Sequence, residues 1–381
     1  MRLFFLTVGI LFLFNASAQV DYPVFKQRQF INPEDSNKLS LNIYNLNYLH
    51  NTEYFTDIPL SGTLFGYQLI PELQYQPTSR FTIKAGIYLQ KEFGRKEYTS
   101  LLPTFSVKYQ AKHSSYILGN LEGNINHHFV DPIYDDKLII KEKLENGFQF
   151  LVNTKPYNHD FYINWRTAIH FGDPFKEEFD VGYTSSFNVI DKESFKLKVP
   201  LQMLYSHKGG QIDIGNEPLT SLVNSGLGLS MDFSLNNDFF KKVIFENHYL
   251  NYKDISGNKR QPWNEGNAYL SHLLLKFKFF DIDLRYWNGN GFINPRGNSL
   301  FSSVSEKYPG VTEKHRELLV TSFIYNTRIF NGADFNFRIS PYYDFNAKVM
   351  EYSFEMYFSY RLNVLLGKIN NSYKENLKRH G

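Results

Sequence analysis

Met350-Glu-Tyr-Ser-Phe-Glu-Met-Tyr-Phe-Ser-Tyr-Arg361 alternates from end to end. Met350, Tyr352, Phe354, Met356, Phe358 and Tyr360 fall on one side. Glu351, Ser353, Glu355, Tyr357, Ser359 and Arg361 fall on the other. Successive side chains of an extended chain point to opposite faces, so this is a strand with one greasy and one polar face. Soluble strands average about 5–6 residues. A strand of about a dozen residues, at roughly 3.3 Å each and tilted near 40°, crosses the ~25 Å apolar band of an outer membrane.

The same alternation recurs backwards along the chain. In Phe161–Phe171, Phe161, Ile163, Trp165, Ile169 and Phe171 oppose Asn164, Arg166 and His170. In Ser194–Tyr205, Phe195, Leu197, Val199, Leu201, Met203 and Tyr205 oppose Lys196, Lys198 and Gln202. Reading outward in this way predicts sixteen strands between residues 39 and 362, or fourteen if a weak pair such as 39–49 or 114–124 is not a strand. The expected joints sort by length. Pro77–Ser79, Ala111–His113, Lys155–His159, Asp191–Glu193, Asn236–Lys241, Phe280 and Phe330–Gly332 are short. On the other side Asn51–Ser61, Phe93–Ser100, Ile125–Asn146, His207–Ser221, Lys253–Gly266 and Asn290–Arg316 are longer, with Gly172–Lys176 and Asn346–Ala347 as short exceptions. Short periplasmic turns and long outer loops are the habit of outer-membrane barrels; a soluble sandwich has no reason to segregate them. The predicted fold is all-β, a single transmembrane antiparallel barrel with both ends in the periplasm.

Composition agrees. Aromatics are 17% of 381 residues, with 36 Phe and 27 Tyr against 3 Trp. Mean hydropathy is −0.39, too polar for a helical membrane protein but suited to a barrel, where every second residue must be apolar. With no cysteine there are no disulfides and no thiol chemistry. A net charge of +3 gives no case for nucleic acid. Arg2, the apolar stretch Leu3–Phe14 and the small-x-small Ala16-Ser17-Ala18 read as a leader cleaved near Ala18. The expected organisation is a leader at 1–18, a periplasmic segment at 19–38, the barrel at 39–366 and a polar periplasmic tail at 367–381.

Over residues 39–362 the chain resembles the porin-like Gram-negative outer-membrane barrel superfamily, in pattern rather than in a specific motif. The resemblance implies residence among outer-membrane lipid and lipopolysaccharide, after insertion by the barrel-assembly machinery. One departure is the C-terminus: many such proteins end on an aromatic, whereas this chain runs past Phe358 and Tyr360 through Leu362–Leu366 into a polar tail.

A barrel this wide has a lumen that side chains alone do not fill. The first expectation is a channel, without catalysis or cofactor, passing polar solutes or a polymer such as a glycan. The second is a non-conducting scaffold of a surface or secretion assembly, its lumen filled by loops. The third is a surface hydrolase, which a lipid-facing His–Ser pair near the outer rim would favour. The alternation points Arg166, Arg285, Arg328, Arg338, Arg361, Asp344, Glu351 and Glu355 into the lumen, as a wall lattice of ion pairs or a charged constriction. Trp287, Phe292, Arg296, Phe301, His207, Gln211 and Trp263 are expected on outer loops, where aromatic, amide and Arg chemistry suits a glycan. His127, His128, Asp131, Asp135 and Asp136 share one loop but fit no metal-ligand spacing, so no metal is expected. His113-Ser114-Ser115 lies at a periplasmic turn, the wrong end for a surface hydrolase.

Overall fold

In a computed structural model, which describes residues 23–25, 31–210 and 212–369, the chain forms a closed barrel of sixteen antiparallel strands. They are β1 Lys38–Glu53, β2 Gly62–Thr78, β3 Phe81–Glu92, β4 Ser100–Gln110, β5 Ser114–Asn120, β6 Asn146–Asn153, β7 Tyr157–Thr167 and β8 Glu177–Asp191, followed by β9 Phe195–Gly209, β10 Thr220–Ser234, β11 Phe240–Asp254, β12 Glu265–Phe277, β13 Asp281–Asn290, β14 His315–Phe330, β15 Ala333–Asp344 and β16 Val349–Lys368. Each pairs with its neighbours in sequence, and β1 closes on β16 with Tyr48 opposite Tyr357. Closure leaves no unpaired strand edge, as a lipid surroundings demands. The predicted leader and the tail beyond Ile369 lie outside the described residues.

The burial pattern is that of a soluble protein turned inside out. Asp180, Asp283 and Gln149 are 0% exposed, while Leu101 and Leu118 are each 61% exposed. Along β16, Glu351, Ser353, Glu355, Tyr357 and Ser359 are buried on the inward row, while Met350, Tyr352 and Met356 face out. An outward apolar band over a polar interior is the membrane-barrel arrangement.

The lumen is filled. The loop between β5 and β6 turns inward, carrying a one-turn helix α1, Leu138–Lys141. Gln68 from β2 and Gln90 from β3 donate to the carbonyls of Ile139 and Ile140, each at 3.0 Å. Thr184 on β8 donates to the carbonyl of His127 at 2.6 Å, and the Val130 amide donates to Gln202 on β9 at 2.9 Å. The loop between β13 and β14 enters from the same outer end, off the opposite wall. The two loops are stitched together: the Asp135 amide donates to the Arg296 carbonyl, and Asn294 donates to the Pro132 carbonyl. Phe129, Ile133, Tyr134 and Leu138 from the first loop join Phe292, Leu300 and Phe301 from the second in an apolar core inside the barrel, with Trp287 and Leu318 from the wall. Within the lumen Phe25 packs edge-on against Tyr357, with ring centroids 4.7 Å apart.

Candidate functional site

The lumen-facing charges predicted from alternation are neutralised in pairs. Arg338 donates to Glu355 at 2.9 Å and also meets Asp136. Arg285 bridges Asp283 and Asp131. Arg361 and Arg328 share Asp334, and Arg316 approaches Asp344. Glu351 accepts from Tyr342 and from the amides of Phe55 and Thr56. Arg166 meets Glu142 and Glu178. This is a lattice that braces the wall and holds the inner loops in place.

Several residues expected on outer loops lie elsewhere. Trp287 and Phe292 are 0% exposed and Phe301 is 1%, so their rings fill the internal core and offer no face to a sugar. Arg296 is committed inside, with Nη1 donating to Glu142 at 3.0 Å. The acidic loop near residue 131 is likewise internal rather than solvated: His127 lies between Glu145 at 2.9 Å and Asp160 at 3.0 Å, stacked on Tyr162. Among the described residues no group of His, Asp and Glu is arranged to hold a metal ion. The apolar residues of these two loops are buried together in the lumen. Gln211 lies outside the described residues. Trp263 is on the loop between β11 and β12 and lines an outward cavity described below.

His207 is the exception, and it is not in a loop. β9 continues past it to Gly209, and β10 begins at Thr220, so His207 sits directly opposite Ser221 in the ladder. The inward row of β9 holds Lys198, Gln202 and Leu204, which puts Met203, Tyr205 and His207 on the outward face. On β10 the inward Leu222 and Asn224 put Val223 and Ser225 on that same outward face, and Ser221 shares their row but is covered by its neighbours, at 6% exposure. His207 Nδ1 and Ser221 Oγ lie 2.9 Å apart. Tyr205 OH is 3.1 Å from the imidazole and 3.3 Å from the Ser221 hydroxyl. On the other side His207 lies against Phe179 of β8, with ring centroids 4.9 Å apart. Glu177, two residues before Phe179, lies on the same outward row at the outer end of β8. Glu177 pairs with Gly209, and a Cβ at Gly209 would meet His207 Nε2 at 2.7 Å. The ring thus presents Nδ1 to Ser221 and Nε2 towards the strand end that carries Glu177.

All three strands have their outer ends here. The short turn between β8 and β9 is at the far, periplasmic side. The flanking loops expose apolar side chains: Phe171 is 91% exposed and Ile214 is 71%. These loops brace one another, the Gly172 amide donating to Ile212 and the Ile214 amide to Asp173. Further along the rim, an outward cavity of about 710 Å³ is lined by Val223, Ser225, Lys253, Trp263, Glu265 and Lys314, among others. Val223 and Ser225 continue the outward row that starts at Ser221. An apolar rim with serine, imidazole and carboxylate beside a polar, cationic cavity is suited to the level where lipid headgroups meet acyl chains.

Fold and surface together define an outer-membrane β-barrel of porin-like architecture. Its sequence from residue 31 to 369 matches the lipid A 3'-O-deacylase-type family, and the chain belongs to that family. Among solved structures it is similar to the outer membrane protein OprD from Pseudomonas aeruginosa, at 12% identity, 91% of this chain, 100% of that chain and a TM-score of 0.50. It is also similar to a loop-deletion mutant of OmpT, an outer membrane protein of Vibrio cholerae, at 8% identity, 85% of this chain, 99% of that chain and a TM-score of 0.50. At such identities the likeness concerns the fold. No curated protein matches the chain. Family membership overturns the expectation that the barrel is not an enzyme.

Proposed function

We propose that this barrel hydrolyses an acyl ester of an outer-leaflet glycolipid, of the lipid A class, at the outward-facing Ser221. The observation that carries this reading is the 2.9 Å approach of His207 Nδ1 to Ser221 Oγ on the lipid face near the outer rim. With Nδ1 unprotonated, the Ser221 hydroxyl donates to it. As Ser221 Oγ attacks the ester carbonyl carbon, the imidazole takes the hydroxyl proton. The carbonyl π electrons move onto oxygen, and Tyr205 OH is placed to donate to that oxyanion. Collapse expels the sugar alkoxide, which takes the proton back from His207. Water, deprotonated by the same imidazole, then releases the fatty acid and restores Ser221. The ester of a lipid sits at the headgroup–acyl boundary, which is the level of this pair. Lys253 and Lys314, in the neighbouring outward cavity, suit phosphates on such a headgroup.

The internal apolar core and the ion pairs across it favour a loop-filled barrel over an open pore for polar solutes or glycans. Export by the leader, with cleavage near Ala18, and insertion by the barrel-assembly machinery belong to the same reading.

The test is to incubate the refolded barrel in detergent with purified lipid A and follow acyl loss by mass spectrometry. Ser221→Ala and His207→Ala are each expected to reduce release by about 10³-fold or more. An undiminished Ser221→Ala variant would remove Ser221 as the nucleophile.

A further inference from the structure

At the opposite, periplasmic end of the lumen lies a second cavity, of about 590 Å³. Small-ligand sites range over roughly 300–1,000 Å³. Lys143, from the last residues of the inward loop before β6, lines it and is only 8% exposed. Among the described residues, no carboxylate stands within ion-pairing distance of its ammonium. Its one close partner is the face of Tyr44, with the Nζ 5.8 Å from the ring centroid. Glu145, the nearest acid in sequence, is already used. Its Oε2 takes His127 and the Asn124 amide, each at 2.9 Å, and its Oε1 takes Tyr134 OH.

Burial without a counter-ion is costly for an ammonium. Burial pushes the Lys143 amine down to about 7, against smaller opposing effects of Glu145 and Glu72. Two more polar groups in the wall wait for partners. The hydroxyls of Thr82 on β3 and Thr104 on β4 are buried and make no hydrogen bond among the described residues. Both line the cavity, as do Gln74 and Asn42. A buried amine without a counter-ion, two unused hydroxyls and the amides of Gln74 and Asn42 line one space of ligand size, whose wall also carries Glu72, Glu122 and Asp334.

We propose that this cavity is a binding site for a small phosphate-bearing polyol, the phosphate seated on Lys143 and a hydroxyl on Thr104. The site faces the periplasm and is separate from the lipid-facing serine, so it stands whether or not Ser221 is the nucleophile. A ligand bound here would clamp the base of the loop that fills the barrel, because Lys143 and Glu145 belong to that loop.

Formaldehyde with borohydride is the probe, on the full chain refolded in detergent. The aldehyde condenses with an unprotonated lysine amine, losing water. Borohydride then supplies hydride to reduce the imine to a methylated amine, which mass spectrometry of peptides locates. The expected result is that Lys143 is labelled about tenfold faster than exposed lysines such as Lys253. Inorganic phosphate and glucose 6-phosphate should protect it. Labelling spread equally over the surface lysines, or Lys143 labelling unaffected by phosphate, would overturn the proposal. Thr104→Val keeps the lysine and the volume. It should weaken protection by glucose 6-phosphate several-fold and leave protection by inorganic phosphate nearly unchanged; equal protection by both in this variant would overturn the hydroxyl contact.

Discussion

Arg296 Nε stands 3.0 Å from Asp180 Oδ2, joining the loop after β13 to the inward face of β8. The same guanidinium pairs with Glu142 of the other inward loop at 2.9 Å. One side chain thus ties two loops to the wall. Removing one partner from a buried ion pair typically costs about 3–5 kcal/mol, because it strands a charge. In Arg296→Ala, the remaining cation beside Asp180 among the described residues would be Arg166, at 3.8 Å. The wild-type barrel is expected to be silent in planar bilayers, and Arg296→Ala to show conductance bursts. Stable large conductance in the wild type would contradict a filled lumen.

A second expectation concerns pH. Burial alone would push the His127 imidazole down, but Glu145 and Asp160 outweigh it and raise it to about 9. Burial alone would raise Glu145, but His127 outweighs it and holds it down to about 2. The raised imidazole stabilises the inner loop fully below its unfolded value, ~6.5, and that contribution fades as pH rises through about 9. The depressed carboxyl contributes fully above its ordinary range, and its share is lost as pH falls towards about 2. Bilayer recordings should therefore be quiet at neutral pH and grow noisy above pH about 9. His127→Gln should be noisy at neutral pH, with no step near pH 9. A wild type equally quiet on both sides of that step would sink the assignment.

Much of the wall was legible in the sequence, and the contents of the lumen were not. Alternation such as Met350–Arg361 depends on one strand at a time, so sixteen strands could be read directly. The inward loops carry signals that strand reading passes over. Phe129-Val130 and Leu138-Ile139-Ile140 are apolar runs inside an expected surface loop, and they are buried here. The Ser221–His207 pair was hidden by strand ends. The expected joint His207–Ser221 had these two residues as its limits, because β9 and β10 each run slightly further than alternation indicates. No local motif links residues so far apart in sequence; ladder register brings them together.

Trp287 tests the internal core. Its ring is fully buried against Phe292 and Phe301, with centroids 5.3 and 5.2 Å away. Truncating a large buried aromatic to Ala costs about 3–5 kcal/mol. The barrel ladder does not depend on this ring, but the seating of the 291–314 loop does. Trp287→Ala should keep its heat-modifiable gel mobility while that loop becomes sensitive to protease added from outside. Loss of the folded band would instead make Trp287 a requirement for barrel closure.

Gly209 offers the sharpest probe of the lipid-facing site. A Cβ there would lie 2.7 Å from His207 Nε2, so Gly209→Ala must displace the imidazole. The displacement moves Nδ1 away from Ser221 without removing any functional group. Misplacing a catalytic group by about 1 Å costs on the order of 10²-fold in rate. The expected outcome is a kcat lowered by about that factor with KM little changed, since the outward cavity at Lys253 and Lys314 is untouched. Gly257→Ala is the matched control, because a Cβ there meets nothing within 4 Å. If Gly209→Ala deacylates lipid A as fast as that control, the position of His207 does not govern the reaction, and the base must be sought elsewhere on the rim.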